Sequence, residues 1–188
     1  MFSYSKIIHT LVICCFGLCI TSCKTDSEKA ASKNAQAHPK TGTKAKVILK
    51  PTKGNKVTGT VTFAVVSDGV KIVADIDGLT PGKHGFHVHE FGDCSAPDGS
   101  SAGGHFNPTK KDHGAPDVSD RHVGDLGNIT ADANGHAHFE RIDKVIALKG
   151  ENNVIGRSVI VHEKADDFSQ PVGNAGSRLA CGLIEVVE

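Results

Sequence analysis

Tryptophan is absent from this chain of 188 residues, tyrosine and methionine occur once each, and there is no net charge, with 21 Lys plus Arg against 21 Asp plus Glu. Without a block of basic excess nothing in the sequence holds a polyphosphate, which argues against nucleic acid as a partner. No apolar run is long enough to span a membrane, and no stretch repeats with the period of an amphipathic helix. Multi-span membrane proteins and coiled coils are therefore set aside. The 38% apolar fraction is too high for a chain disordered throughout. What is plentiful is glycine, with 21 residues that point to many turns, together with 11 His and six Cys, which point to metal or redox chemistry.

Residues 1–22 read as a targeting segment. Lys6 is the only charge before Lys24, and Ile7 to Ile20 form a mostly apolar run. Fourteen residues make about 21 Å of helix, short of the roughly 30 Å hydrocarbon core. A basic start, a short apolar core and small residues after it mark a secretory signal. Its end, Ile20-Thr21-Ser22-Cys23, resembles the lipobox of bacterial lipoproteins, in which the Cys becomes the lipidated first residue; an ordinary signal with a chance Cys is the alternative. Removing the signal takes Cys14, Cys15 and Cys19 with it, and lipidation takes Cys23. Cys94 and Cys181 remain, in a compartment that permits disulfides, either bridged to each other or as two free thiols. A bridge would close a loop of about 88 residues, worth roughly 4–5 kcal/mol on the chain-entropy account.

From Cys23 to Lys44 the composition is Lys, Ala, Ser, Thr and Asn with almost nothing large and apolar, as expected of a flexible tether. From Ala45 to Glu188 the pattern is that of one all-β domain. Short runs rich in β-branched residues, among them 47–49, 57–66, 70–76, 85–90, 126–130, 136–141, 158–162 and 183–187, alternate with Gly and Asn turns. About eight antiparallel strands of this kind predict a sandwich or barrel. Two irregular stretches, 91–124 and 163–180, interrupt the rhythm, and long loops in a small domain are usually functional.

The histidines concentrate beside these loops. His87 and His89 flank Val88 on a predicted strand, where a period of two puts both imidazoles on one face. His105, His113, His122 and Asp125 follow within 21 residues and match the ligand number of a tetrahedral zinc site. His162 ends a later strand. Spacing alone does not say which histidine serves which metal. His9, His38, His136 and His138 read as non-ligands, although the last two repeat the His-x-His pattern.

The motifs Gly85-Phe86-His87-Val88-His89-Glu90, Gly104-His105-Phe106-Asn107-Pro108 and Arg121-His122-Val123-Gly124-Asp125-Leu126-Gly127 resemble those of copper/zinc superoxide dismutases. So do 156–163 and 173–182. The resemblance runs from about Ala45 to the C-terminus and implies a Greek-key β-barrel. It also implies copper on His87, His89, His105 and His162, and zinc on His105, His113, His122 and Asp125, with the His105 ring between them. By the same likeness Asp166 links His87 to His113, His84 packs behind the copper loop, and Arg178 attracts and orients the superoxide anion. The implied reaction is dismutation of superoxide by redox cycling of the copper, with His105 leaving and regaining its place with a proton.

The sequence departs from the familiar eukaryotic pattern in two places. The stretch between His162 and Arg178 is shorter and keeps few charges beyond Lys164, which puts substrate steering in doubt. Cys94 lies five residues after His89, a spacing that resembles bacterial members. The overall expectation is a lipid-anchored enzyme of the bacterial envelope whose only membrane contact is its lipid. Whether it is a monomer or a homodimer stays open. A metal-buffering module on the same fold is the rival reading, which loss of a copper histidine or of Arg178 would favour, and neither is lost.

Overall fold

The computed structural model describes residues 42–187. The signal segment, Cys23, His9, His38 and most of the tether lie outside the described residues. Eight strands make up the sheet: β1 (Lys44–Pro51), β2 (Thr58–Val66), β3 (Gly69–Asp77), β4 (Gly82–His89), β5 (Asp125–Ala131), β6 (Ala137–Asp143), β7 (Ser158–His162) and β8 (Arg178–Leu183). They run in the spatial order β5-β4-β7-β8-β1-β2-β3-β6, every neighbour antiparallel, and a two-residue β9 (Glu185–Val186) pairs with β1. The end strands β5 and β6 lie against each other, so the sheet nearly closes. Placing β4 beside β7, and β3 beside β6, is Greek-key connectivity. Among the described residues there is no α-helix, only a 3₁₀ turn at Ser100–Ala102.

Alternation explains the half of the barrel built from β1, β2, β3 and β6. In β1, Ala45, Val47 and Leu49 are buried while Lys44, Lys46 and Ile48 are exposed, the pattern of a strand with one wet face. Val66 and Gly69 pair directly across Ser67-Asp68, so β2 and β3 form a two-residue hairpin. The other half differs, because β4 is buried on both faces from His84 to His89. Phe86 and Val88 point into the main core with Val159 and Val161 of β7. On the outer face Ile160 packs with Ala102 and Cys181 in a second small cluster beneath the long loop after β4.

The structure corrects one strand. The sequence pattern places the last strand at 183–187 and leaves everything up to 180 irregular, whereas β8 already begins at Arg178. Arg-Leu-Ala-Cys-Gly shows neither alternation nor β-branching. It is extended because β7 and β1 flank it on both sides, with Ile160 opposite Cys181 and Lys50 opposite Cys181. Tertiary pairing overrides local preference there.

Candidate metal centre

Three segments carry the centre: the outer face of β4, the end of β7, and the long loop between β4 and β5. The loop is stitched to β4 at Val88, whose N–H donates to the Gly124 carbonyl and whose own carbonyl accepts from Phe106 N–H, both at 2.9 Å. Phe106 N–H and Gly124 carbonyl are thereby held against one strand residue, and a bridge between His89 and His105 continues the pairing. A Cβ on Gly124 would stand 2.1 Å from the Val88 carbonyl, so only glycine permits this approach. The Arg157 guanidinium lies 3.4 Å above the Phe106 ring and clamps the residue that follows His105.

Two groups of four candidate ligands result. His87, His89, His105 and His162 have candidate ligand atoms all within 4.8 Å of one another, and so do His105, His113, His122 and Asp125. His105 belongs to both. Its Nδ1 lies 2.8 Å from Asp125 Oδ1 and 3.4 Å from His122 Nδ1, which leaves Nε2 for the other group. In that other group His89 Nε2 and His162 Nε2 are 3.3 Å apart. His113 Nδ1 lies 3.0 Å from Asp125 Oδ2.

The remaining ring nitrogens are held from behind. His89 Nδ1 donates to the Gly103 carbonyl at 3.0 Å, and His162 Nδ1 to the Gly176 carbonyl at 3.3 Å. Asp166 accepts from His87 Nε2 through one oxygen and from His113 Nε2 through the other, each at 2.9 Å. Such bonds fix the tautomer, so the nitrogens facing the centre carry lone pairs. His87 Nδ1 tests whether a metal fits: it is fully buried and has no hydrogen-bond partner, a cost that a bound cation removes. Four imidazoles on one side, and three with a carboxylate on the other, suit copper and zinc respectively.

The electrostatics agree with neutral rings at His89, His105 and His162, and set His113 apart. Burial holds His162 down to about 3 and His105 down to about 4, and it pushes His89 well below its usual value. Burial also acts on His113, but the Asp125 and Asp166 carboxylates outweigh it and raise the ring to about 9. Both carboxylates are held below their usual range because hydrogen bonds from the histidines overcome their burial.

The other residues singled out in the sequence stand around this centre. His84 is buried, with Nδ1 2.8 Å from the His162 carbonyl and Nε2 2.8 Å from the Thr80 carbonyl. Cys94 and Cys181 form a disulfide with their Cα atoms 5.8 Å apart. Arg178 opens β8, and its guanidinium donates to the Gly99 carbonyl at 2.7 Å and the Gly103 carbonyl at 2.6 Å, using two of five N–H groups. His136 and His138 lie elsewhere, on the exposed face of the barrel, each bonded to an aspartate of β3.

Sequence reasoning missed four supports. Arg121, 1% exposed, donates to the His122, Val123 and Asp125 carbonyls and pairs with Asp143 at 2.6 Å. Asn128 exchanges two hydrogen bonds with the Asp166 backbone, and the Gln170 side chain does the same for His113. Gly173 passes so close that a Cβ there would meet both Asp166 and His113. Arg121 and Gly173 sit inside quoted motifs and carried a signal, whereas Asn128 and Gln170 depend on contacts between distant segments.

A nearly closed Greek-key barrel with two histidine-rich groups that share His105 beneath its loops fits a class, the metal-binding proteins built on this fold. The sequence pattern of the copper/zinc superoxide dismutases matches residues 57–184. The chain is 48% identical over 141 residues to an extracellular Cu-Zn superoxide dismutase of Caenorhabditis elegans, 71% of this chain and 63% of that relative, so it spans less than two thirds of the relative's length. It is 53% identical over 137 residues to Cu-Zn superoxide dismutase A of Xenopus laevis, covering 68% of this chain and 89% of that one. The crystal structure of the clock protein EA4 superposes with a TM-score of 0.72 at 42% identity, over 80% of this chain and 99% of that one. The chain belongs to the copper/zinc superoxide dismutase family, enzymes that hold copper and zinc.

Proposed function

We propose that this chain dismutes superoxide, converting two superoxide anions and two protons into dioxygen and hydrogen peroxide. The observation that carries the reading is the pair of four-ligand groups sharing His105. In this reading His87, His89, His105 and His162 hold copper, and His105, His113, His122 and Asp125 hold zinc. When bound, copper supplies a one-electron couple that accepts an electron from one superoxide and returns it to the next, and zinc supplies a fixed positive charge.

The chain's own residues do the rest. His105 gives up and regains a proton at Nε2 once per turnover, supplying one of the two protons of the peroxide. Asp166 keeps His87 and His113 in register, so the two groups move as one. Arg178 retains N–H groups beyond those tied to the loop, and these attract and orient the anion. His84 packs behind His162 and binds no metal.

The reading extends to the chain's location. Residues 1–22 serve as a lipoprotein-type signal, Cys23 takes the lipid, residues 23–44 form the tether, and residues 45–188 form the enzyme domain on the bacterial cell envelope. The Ile20-Thr21-Ser22-Cys23 sequence supports this, and the Cys94–Cys181 disulfide fits an oxidising compartment. The intact mass of the mature protein tests it. A diacylated N-terminal Cys23, and release from membranes by Cys23→Ser, are expected; an unmodified N-terminus at another residue overturns the anchor.

The activity is tested by pulse radiolysis of the metal-loaded protein. Superoxide decay near the diffusion ceiling, lost on copper removal and slowed in Arg178→Ala, is the expected result. Tight binding of both metals with decay no faster than free solution would make the chain a metal buffer.

A further inference from the structure

The chain leaves the centre after His89 and re-enters it at His105. Two of the four histidines proposed for copper therefore stand at the two ends of one excursion, 90–104. Its arms are paired at the mouth, where Glu90 N–H donates to the Gly104 carbonyl at 2.8 Å and Phe91 N–H to the Ala102 carbonyl at 2.9 Å. Gly103, on the returning arm, carries the carbonyl that holds His89 Nδ1. How the arms stand to each other thus bears on both ligands.

A third segment reaches across this mouth. Arg157 directly precedes β7, and its backbone is fixed on both sides. Its N–H donates to the Val154 carbonyl at 3.1 Å, and its carbonyl accepts from Ile184 N–H at 2.8 Å. The half-buried side chain is held at Nε, which donates to the Asn153 carbonyl at 3.1 Å. From there Nη1 donates to the Glu90 carbonyl at 2.6 Å on the departing arm. The same guanidinium lies 3.4 Å over the ring of Phe106, at the end of the returning arm. One side chain grips the residue after His89 and the residue after His105.

The grip depends on shape more than on charge. Burial works against the Arg157 charge, and Glu90 offsets part of that. The contacts themselves run to two carbonyls and an aromatic face. An ammonium in the same place would keep the charge, but it has no flat face for the ring and no fork to reach two carbonyls at once.

Resting on the dismutase reading, we infer that Arg157 is a positioning residue for copper, setting His89 relative to His105 by clasping the residue that follows each. It touches neither ligand and acts through the main chain. Zinc takes only His105 of this pair, so the zinc group depends on the clasp less than the copper group does.

The test compares wild type, Arg157→Lys, Phe106→Leu and Ser158→Ala, each with zinc bound. Copper(II) affinity is read by competition with a chelator, and ligand geometry by the visible absorption band of the bound copper(II). Ser158→Ala is the control, because its hydroxyl ties the same excursion at the Phe91 carbonyl and has no part in the clasp. Arg157→Lys is expected to lower copper affinity about tenfold and to shift the band, with a smaller loss of zinc affinity. Phe106→Leu removes the ring from beneath the guanidinium and should shift the band in the same direction; it decides alone should Arg157→Lys not fold. Ser158→Ala should follow wild type. Wild-type affinity and band in the clasp variants overturn the inference, as does an equal loss in Ser158→Ala, which assigns the effect to the excursion as a whole. A wild type that binds copper yet leaves superoxide decay at the rate of free solution overturns the dismutase reading alone, and the affinities still decide the clasp. A wild type that takes no copper at these histidines overturns both.

Discussion

Two His-x-His pairs occupy opposite halves of the same barrel and come to different ends. His87-Val88-His89 lies on β4, where Val88 points into the core and both rings turn outward, yet both are buried. His136-Ala137-His138 also turns its rings outward, with Ala137 buried, but there the outer face is bare. His138 meets Asp75 at 2.7 Å and His136 meets Asp77 at 2.9 Å in exposed pairs across the β3–β6 register. The backbone arrangement is the same. The difference is the cover: two long loops fold over β4 and β7, bring three further ligands and Asp166, and exclude water. A spaced pair of histidines becomes part of a candidate metal centre through what is laid over it.

Removing a ligand from the covered pair's group should have the largest effect. His162→Ala is expected to bring superoxide decay in the metal-loaded protein down to that of free solution, while its copper content falls. Unpinning the cover comes next. Cys94→Ser removes the closure of about 88 residues and should cost the metal-free protein roughly 4–5 kcal/mol, read from denaturant unfolding. Asp166→Asn leaves the cover in place but loosens the link between His87 and His113. Zinc affinity, from competition with a chelator, should drop about 10- to 100-fold. Retention of wild-type affinity would show that the carboxylate is dispensable for ligand orientation.

His89 of the covered pair and His136 of the bare one should titrate in opposite directions in the metal-free protein. Burial depresses His89, as it does His162 and His105 of the same centre, whereas the hydrogen bond to Asp77 raises His136. Between the ordinary value near 6.5 and the folded values of about 4 and 3, the unfolded chain binds protons that His105 and His162 refuse. Their contribution to stability is complete above 6.5 and is lost as pH falls through that window. The contribution of His136 has the other sign, present below 6.5 and lost as pH rises through its raised value. Histidine ring shifts followed by NMR against pH check both. The smallest effect belongs to the bare face, where His138→Ala should change stability by no more than about 0.5 kcal/mol and leave metal content and activity as they were.

Much of this was legible in the amino-acid order. Alternation at Val47-Ile48-Leu49 and across 57–76 is a local property, set by a wet face and a dry one, and the strands follow it. The ligand histidines could be picked out because they crowd beside irregular stretches. Three things were not legible. Arg178 to Leu183 is a strand only because β7 and β1 flank it, and no period within six residues reports that. The two His-x-His pairs are indistinguishable as words, since their fates are decided by loops distant in sequence. Asn128 on Asp166, Gln170 on His113, and Thr52 on the Arg178 carbonyl are contacts across 38, 57 and 126 positions, which composition and spacing do not encode.

The Gly103 carbonyl accepts both from His89 Nδ1 and from the Arg178 guanidinium. One oxygen atom thereby ties the posture of His89, proposed above to hold copper, to the posture of Arg178, proposed above to meet the substrate. Mutational drift in the segment around it is pleiotropic: no change that swings this peptide can alter how the anion is received while sparing the ligand set. The disulfide-bonded loop is therefore expected to change as a unit, and divergence to accumulate on the bare side of the barrel, where His136 and His138 bond only to aspartates of β3.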